Sequence, residues 1–372
     1  MKSSLSILHL NTEKTWRGGE NQIKNLVSSP INEQYNLQHH LAVRADGELQ
    51  QRLQDKCSLF SMNSSTPLMP YNLLKMVQFI KEHNISIIDA HSSKTHAMAL
   101  GVKAMLPQLK LVVHRRVDYK PKNNPMSRYK YCSPHIDAYV AISDKIATIL
   151  DQYGIDKAKI RTVRSAVDEE PYKFLEAEKE KRDLCKQLNL DPSLCLLGNA
   201  SAFTHQKGHH TLIHSLRILE QKKLPFHCIL AGNGFLLPEI KTLVGHLGLQ
   251  HRVSFLGFIA DVPKLLSGLD ILAMPSNFEG LGTLILEGIY AQCAIVASRV
   301  GGIPEMISHG KRGFLSEKGN SREFAKFLEM MILDAGLRKD TNVKARAYVR
   351  KNFSLEQMVQ GNIAVYRSIM DS

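Results

Sequence analysis

Residues 273–305 constrain this chain more than any other stretch. They read as strand, glycine turn, helix, strand, glycine turn, from Ala273-Met274-Pro275-Ser276 through Glu279-Gly280-Leu281-Gly282-Thr283-Leu284 to Gly301-Gly302-Ile303-Pro304-Glu305. A strand that runs through glycines into a helix leaves backbone N–H groups aimed at one spot, with the positive end of the helix dipole behind them. Phosphate favours that spot. Glu279 and Glu287 bracket the turn, and a carboxylate beside phosphate would repel it. The two glutamates are therefore expected to grip hydroxyls on either side, such as those of a sugar and a ribose. Glu287 stands among Leu284, Ile285, Leu286, Ile289 and Tyr290, company in which a carboxylate needs a partner.

The same alternation runs along the 372 residues. Strands are expected near Leu5–Leu10, Gln38–Val43, Ile85–Ala90, Leu111–His114, Ala138–Ile142 and Ile160–Val163, with helices near Gly19–Ser28, Tyr71–Glu82, Lys94–Met105 and Asp144–Tyr153. Ser165–Glu180 loses apolar periodicity and reads as a linker. A second series follows, with strands near Leu194–Asn199, Phe226–Ala231, Val253–Leu256, Asp270–Met274 and Ala294–Ala297. Its helices fall near His209–Gln221, Leu236–Leu247, Thr283–Ala291 and Ser321–Leu333, and Asp340–Met370 reads as two more. The expected fold class is α/β, two doubly wound Rossmann-like domains facing a cleft. The expected domains are 1–168, 169–350 and a terminal helix in 351–372. In such sheets ligands bind beyond the carboxyl ends of the strands.

The net charge is +13, and it is uneven. Residues 1–168 hold 23 Lys and Arg against 14 Asp and Glu, whereas the remainder holds 25 against 21. An anionic partner is expected on the first half: nucleic acid, anionic lipid or a phosphorylated substrate. The six cysteines form no C-x-x-C pair, which argues against a structural zinc or a disulfide framework and makes a reducing cytoplasm the expected setting. Met1–Leu10 reads as a first strand rather than a signal peptide, and no apolar stretch approaches the roughly 20 residues of a membrane span. Any membrane contact is expected to be peripheral, on an inner membrane face.

Other motifs each carry two readings. Arg17-Gly18-Gly19-Glu20 follows the first strand and opens a helix, either as an anion loop or as a tight turn. In Phe203-Thr204-His205-Gln206-Lys207-Gly208, Lys207 precedes a helix where its ammonium could reach a diphosphate, or it is a solvated loop lysine. Gly232 and Gly234 could admit a nucleotide close to the backbone, or only close a turn. His91 and His114 end strands and are candidates for the cleft among 16 histidines. Arg115, Arg116, Lys120, Lys122, Arg128 and Lys130, interleaved with Tyr119, Tyr129 and Tyr131, are a solvated run or a surface for phospholipid or a phosphorylated acceptor. Trp16 lines the cleft or is core. There is no G-x-G-x-x-G after the first strand, no P-loop and no nucleic-acid module. The lack of a D-x-D triplet argues against a metal-held diphosphate.

On these residues the chain resembles the retaining nucleotide-sugar glycosyltransferases of the GT-B class, family four, with its bacterial cell-surface and lipopolysaccharide enzymes. Phe255-Leu256-Gly257, Met274-Pro275-Ser276, Glu279-Gly280-Leu281-Gly282, Glu287 and Gly301-Gly302-Ile303-Pro304-Glu305 match its order and spacing, and Gly18-Gly19 and Lys207-Gly208 match its weaker motifs. The resemblance implies that Glu279 holds donor-sugar hydroxyls and Glu287 the ribose. It implies that Lys207 and the N–H groups around Gly282, Thr283 and Leu284 neutralise the diphosphate, and that Gly18 and Gly19 close on the phosphates. It further implies retention of anomeric configuration, no metal and no cofactor beyond the nucleotide-sugar co-substrate, a saccharide or lipid-linked acceptor, and a final helix returning to the first domain. Two positions depart from the pattern. Ala202 stands where the family has a diphosphate-binding arginine, for which Arg17 or Arg115 could substitute. The family histidine falls at His114, with Arg115 and Arg116 as rivals for its place. A nucleotide-sugar epimerase of the same plan, a non-catalytic sugar-nucleotide binder and a nucleic-acid-binding protein are the competing readings.

Overall fold

The computed structural model describes residues 4–62 and 70–371. It divides into two compact units: Met1–Ala166 with Phe353–Ser372, and Val167–Asn352. Residues 1–3 of the expected first strand lie outside the described residues.

In the first unit the strands are β1 (Leu5–Leu10), β2 (Leu37–Arg44), β3 (Ser58–Met62), β4 (Ile87–Ala90), β5 (Lys110–Arg115), β6 (Ala138–Ala141) and β7 (Ile160–Thr162). They form one parallel sheet of order β3-β2-β1-β4-β5-β6-β7. β1, β4 and β6 are buried along their whole length, as expected of strands covered by helices on both faces. Register decides which side chains meet. His9 pairs with Asp89 and Ile7 with His39, and Ala90 pairs with Val113. Because side chains alternate, His39, His9, Asp89, His91, His114 and Arg116 fall on one face near the carboxyl ends of the strands. Lower on that face, Leu5, Ile7, Ile87, Val112 and Val140 pack against Met358, Val359, Ile363 and Tyr366 of the terminal helix Leu355–Met370. That helix starts cleanly. The Ser354 hydroxyl accepts the Gln357 N–H at 3.2 Å, and the Gln357 side chain accepts the Ser354 N–H at 3.3 Å.

The second unit holds β8 (Cys195–Ala200), β9 (Phe226–Ala231), β10 (Val253–Gly257), β11 (Ile271–Met274), β12 (Ala294–Ser298) and β13 (Phe314–Ser316) in the parallel order β10-β9-β8-β11-β12-β13. Its core joins Leu197, Phe226, Leu230, Val296, Phe324 and Leu328. Both sheets reverse strand order once, at β1/β4 and at β8/β11.

Several elements differ from expectation. The stretch read as a linker contains a short turn of helix, Glu170–Tyr172, and the start of the helix Ala177–Leu188. Ala177–Leu188 is mostly charged, so its inward face is narrow: Glu180, Leu184 and Cys185. β3 was hidden because it is an edge strand with a mixed, half-exposed face. The short helices Glu48–Leu53, Pro125–Tyr131 and Val262–Ser267 and the three-residue β13 are too brief to show a period.

Candidate functional site

At the second unit's reversal point two loops meet. After β8 the chain forms a single turn, His205–Lys207, and Gly208 caps the helix His209–Gln221 in a left-handed conformation, φ +65°. A Cβ at Gly208 would sit 2.1 Å from the Pro275 carbonyl oxygen, so only glycine lets the loop after β11 pass. The loops are then joined by backbone and amide bonds: Asn277 N–H to Gln206 O at 2.7 Å, Asn277 Nδ2 to His205 O at 2.6 Å, and Gln206 Nε2 to Phe278 O at 3.1 Å.

This places Lys207 Nζ 2.6 Å from Glu279 Oε1, which also accepts from Ser276 Oγ at 2.8 Å. The sequence reading gave these two residues separate ligands; the structure joins them as a buried-to-part-buried ion pair. Gly282, φ +87°, caps the helix Thr283–Tyr290, and the Ile285 N–H closes on its carbonyl at 2.9 Å. The amides of Thr283 and Leu284 precede that first helical bond, beside the Gly280-Leu281 turn. Glu287 lies one turn in. Tyr172 Oη donates to its Oε2 at 3.3 Å, and burial pushes the Glu287 carboxyl up to about 7, against the smaller lowering by Tyr172. Tyr172 was missed because it sat in the supposed linker.

Gly232 and Gly234 have an internal explanation. Cβ atoms there would lie 2.2 Å from Ser201 O and 2.3 Å from Phe203 O. These close approaches account for both glycines by packing. Ala202 is partly buried and offers no charge.

The first unit builds a different kind of site. The helix Gly18–Val27 begins behind Arg17, whose N–H is accepted by Glu20 Oε2 at 3.0 Å. Glu20 is buried, also accepts from Asn11 Nδ2 at 2.8 Å, and burial raises its pKa. At Gly19 an added Cβ would meet only Arg116 Cδ at 3.8 Å, an ordinary contact, so packing does not require this glycine.

Behind it lies a buried polar network. Arg116 Nη2 stands 3.0 Å from His91 Nδ1 and 3.5 Å from His114 Nδ1. His114 Nε2 and Tyr366 Oη meet Asp89 Oδ2 at 3.1 and 2.5 Å, and His91 Nε2 and His9 Nδ1 are each 3.4 Å from it. His9 Nδ1 faces His91 Nε2 at 3.0 Å, and His9 Nε2 faces His39 Nδ1 at 2.9 Å.

A guanidinium only donates, so both Nδ1 atoms facing Arg116 accept. Burial lowers the pKa of His91, His114 and His39, which keeps these rings neutral. The proton of His91 and of His114 is therefore on Nε2; His114 donates to Asp89 and His91 to His9 Nδ1, beside the same carboxylate. His9 then accepts at Nδ1 and donates from Nε2 to His39. Burial opposes charge on Asp89, but His114 and His91 hold it well below the usual carboxylate range. His9, Asp89 and His91 are close enough for a metal, with ligand atoms within 4.8 Å of one another. As hydrogen-bonded here, His91 Nε2 carries a proton rather than a free lone pair.

Two sequence candidates are corrected. Arg115 alternates to the opposite face from His114 and Arg116. It is buried, donates to Tyr131 Oη at 2.9 Å and to the Tyr119 carbonyl, and so braces the loop that follows. It is not displayed to a ligand. Trp16 packs at the edge of the cluster Ile23, Val27, Leu41 and Leu49, with the Arg52 guanidinium 4.0 Å above its ring; its partly buried place is that of core. Arg17 remains exposed. Sequence reasoning missed Asp89, His9, His39 and Tyr366. The available signal was a polar residue inside an otherwise apolar strand, as in Leu8-His9-Leu10 and Ile88-Asp89-Ala90.

Comparison with known proteins gives a consistent picture. The family model described as glycosyl transferases group 1 matches residues 180–348, and that described as glycosyltransferase family 4 matches residues 17–171. An uncharacterised glycosyltransferase of Methanocaldococcus jannaschii is 31% identical over 302 residues, 78% of each chain. The N-acetyl-alpha-D-glucosaminyl L-malate synthase of Bacillus anthracis is 25% identical over 312 residues, 81% of this chain and 80% of the relative. The lipopolysaccharide core biosynthesis mannosyltransferase LpsB of Rhizobium meliloti is 26% identical over 254 residues, 65% of this chain and 68% of the relative. In fold, the chain matches the Anabaena protein HepE, solved in complex with UDP and glucose, with a TM-score of 0.83 at 23% identity, over 98% of this chain and all of that one.

Proposed function

This chain belongs to the GT-B glycosyltransferases of the family-four type, and from that premise we propose that it moves a sugar from a nucleoside diphosphate to a hydroxyl of a saccharide or glycolipid, with retention at the anomeric carbon and without a metal ion. The observation that carries this is the Lys207–Glu279 pair at 2.6 Å, beside the start of the helix Thr283–Tyr290. It combines a cation, oriented amides and a carboxylate within one loop cluster. Breaking the bond between the anomeric carbon and phosphate builds negative charge on the diphosphate. Lys207 and the Thr283 and Leu284 amides are suited to take that charge, and preorganised donors of this kind are typically the largest catalytic contribution.

Glu279 and Glu287 are assigned to hydroxyls of the sugar and of the ribose. Glu287 has a single long hydrogen bond from Tyr172, which leaves acceptor capacity for ribose. Glu279, already tied to Lys207 and Ser276, is a poor nucleophile. The acceptor oxygen is therefore assigned to same-face attack, with its proton passing to the departing phosphate oxygen. From the first unit, His114, Arg116, Gly18 and Gly19 are assigned to the donor.

A uridine donor is favoured by the UDP complex of HepE, and a lipopolysaccharide-type acceptor by the name of LpsB. An anionic bilayer is the proposed second contact. What supports it is the segment 119–129, which exposes Met126 (82%), Tyr129 (78%) and Tyr119 beside Lys120, Lys122 and Arg128. Among the described residues no helix is long and apolar enough to cross a membrane.

The test is a panel of UDP-, GDP- and ADP-sugars, with and without a lipid-linked saccharide, in EDTA. Transfer with an α-linked product from an α-linked donor is expected. An inverted product, conversion of the donor with no acceptor, or strict dependence on added metal would overturn the corresponding part of the proposal. Cosedimentation with vesicles of anionic against zwitterionic lipid tests the surface, and Met126→Ser with Tyr129→Ser is expected to release the protein.

A further inference from the structure

Resting on the assignment of His114 and Arg116 to the donor, we infer that Asp89 and Tyr366 are positioning residues, which hold those two side chains in one protonation and orientation through the His114 imidazole, with His91 anchoring the same guanidinium. The arrangement is two-armed. Arg116 donates to Nδ1 of both His91 and His114; His114 passes its Nε2–H to Asp89 at 3.1 Å, and His91 passes its Nε2–H to His9 Nδ1 at 3.0 Å, 3.4 Å from the same carboxylate. A part-buried cation and a buried carboxylate are thus connected through the neutral His114 ring rather than by direct contact. Neither ring can turn over without presenting an N–H to the guanidinium and a lone pair to Asp89, for His114, or to the accepting nitrogen of His9, for His91.

Asp89 lies deeper in the sheet than either residue it orients, with no exposed surface. It sits within β4, opposite His9 in register, so it has no route to a substrate of its own. Its remaining strong donor is Tyr366 Oη, from the helix Leu355–Met370 at the far end of the chain. That bond ties the terminal helix to the orientation of Arg116. His9 and His39 extend the same direction of donation to a ring nitrogen, His39 Nε2, that is buried and has no hydrogen-bond partner. Donation therefore runs one way from Arg116 to that end.

The sharpest test is Asp89→Asn. The amide has the same shape; with its oxygen kept on Tyr366, its NH2 takes the other carboxylate position, 3.1 Å from His114 Nε2, donor against donor. The His114 bridge has to weaken or that ring has to turn over. Long-range 1H–15N spectra of histidine-labelled protein, assigned through single His→Gln substitutions, report the protonated nitrogen directly. In the wild type, His91 and His114 are expected to show protonated Nε2 and a lone pair on Nδ1. In Asp89→Asn at least one is expected to switch, kcat to fall about 100-fold and KM for the donor to change less than about threefold, because orientation matters most in the transition state. Tyr366→Phe adds no volume and serves where Asp89→Asn does not fold; a three- to tenfold fall in kcat is expected with the ring tautomers retained.

A wild type with protonated Nδ1 on both rings overturns the inference, as does Asp89→Asn with unchanged tautomers and unchanged kcat. A Co2+ d–d spectrum that His9→Gln abolishes also overturns it, since a bound metal needs the His91 Nε2 lone pair. Arg116→Ala and His114→Ala separate the two levels. If both retain full transfer, the donor assignment itself fails; if they lose it while Asp89→Asn keeps it, only the positioning role fails.

Discussion

The two units share a plan and differ in what they bury. Each is a parallel sheet with one reversal of strand order, and each brings its candidate residues to that reversal. In the first unit the charged and titratable groups are inside: Asp89, His9, His39, His91, His114 and Glu20 are all buried, on strands, just past one, or at the start of a helix. In the second, Lys207 and Glu279 sit on loops and Glu287 one turn into a helix, and the loops are held by backbone contacts that only glycine permits, as at Gly208 and Gly234. The first is ordered by hydrogen bonds among its buried side chains, which stop at the unpartnered His39 Nε2. The second is shaped by steric closeness, and its charges meet in a single ion pair. A site can be preorganised by either route, and the two should fail differently.

The largest difference is expected at Lys207. Lys207→Ala should lower kcat by about 10²–10³, the usual cost of removing one charge-stabilising donor, while calorimetry shows little change in melting temperature. If transfer stays near wild type, the loop pair of the second unit is structural, and the functional contrast between the two units collapses.

Gly208→Ala and Gly19→Ala test the glycines directly. At Gly208 the new methyl would collide with the Pro275 carbonyl at positive φ, and a loss of about 3 kcal/mol or more is expected in denaturant titration. At Gly19 the fold has room, so stability should hold within about 1 kcal/mol while transfer falls about tenfold. Equal destabilisation by both would erase the distinction between a packing glycine and a functional one.

Acid should separate the units next. Burial lowers the pKa of His39, His91 and His114, and that of His96 to about 3, so these rings are neutral when folded and take up protons when unfolded. Their contribution is present above about 6.5 and is lost as pH falls below it, by up to about 1.4 kcal/mol per ring and pH unit. Asp89, held low, keeps its contribution until below about 4. In the second unit Glu287 has the opposite sign: raised to about 7, its contribution is complete below its ordinary value of 4.5 and is lost as pH rises through 7. Hydrogen exchange resolved by unit should show the first unit opening first between pH 6.5 and 5. Opening of the second unit first would contradict the placement of the histidines.

The smallest effect is expected at Glu287. Glu287→Gln should stabilise the second unit by about 1–2 kcal/mol at pH 8, where the buried charge is removed, and leave it unchanged at pH 5. Nucleotide affinity by calorimetry should weaken about tenfold. Tighter nucleotide binding would remove Glu287 from the ribose assignment.

Much of this was legible in the residues. Strand and helix positions in the second unit followed from apolar runs ending in glycine, and the sheet core of Leu197, Leu230 and Val296 was visible as such runs. The glutamates were found because a carboxylate among apolar neighbours is anomalous. Asp89 and His9 carried the same anomaly, yet their meaning depends on register: residues 80 positions apart become neighbours only when β1 and β4 pair. Arg115 and Arg116 are adjacent in sequence and similar in chemistry. Strand alternation sends one to brace Tyr131 and the other to the imidazoles.

The class of fold, the family and the loops that hold the second unit's charges could be read along the chain, because periodicity and glycine placement are local properties. It took the folded chain to bring Lys207 to Glu279, Tyr172 to Glu287, and Tyr366 of the terminal helix to an aspartate in the fourth strand. Those pairings are set by strand register and close backbone packing, and they couple residues whose spacing along the chain carries no trace of their distance in space.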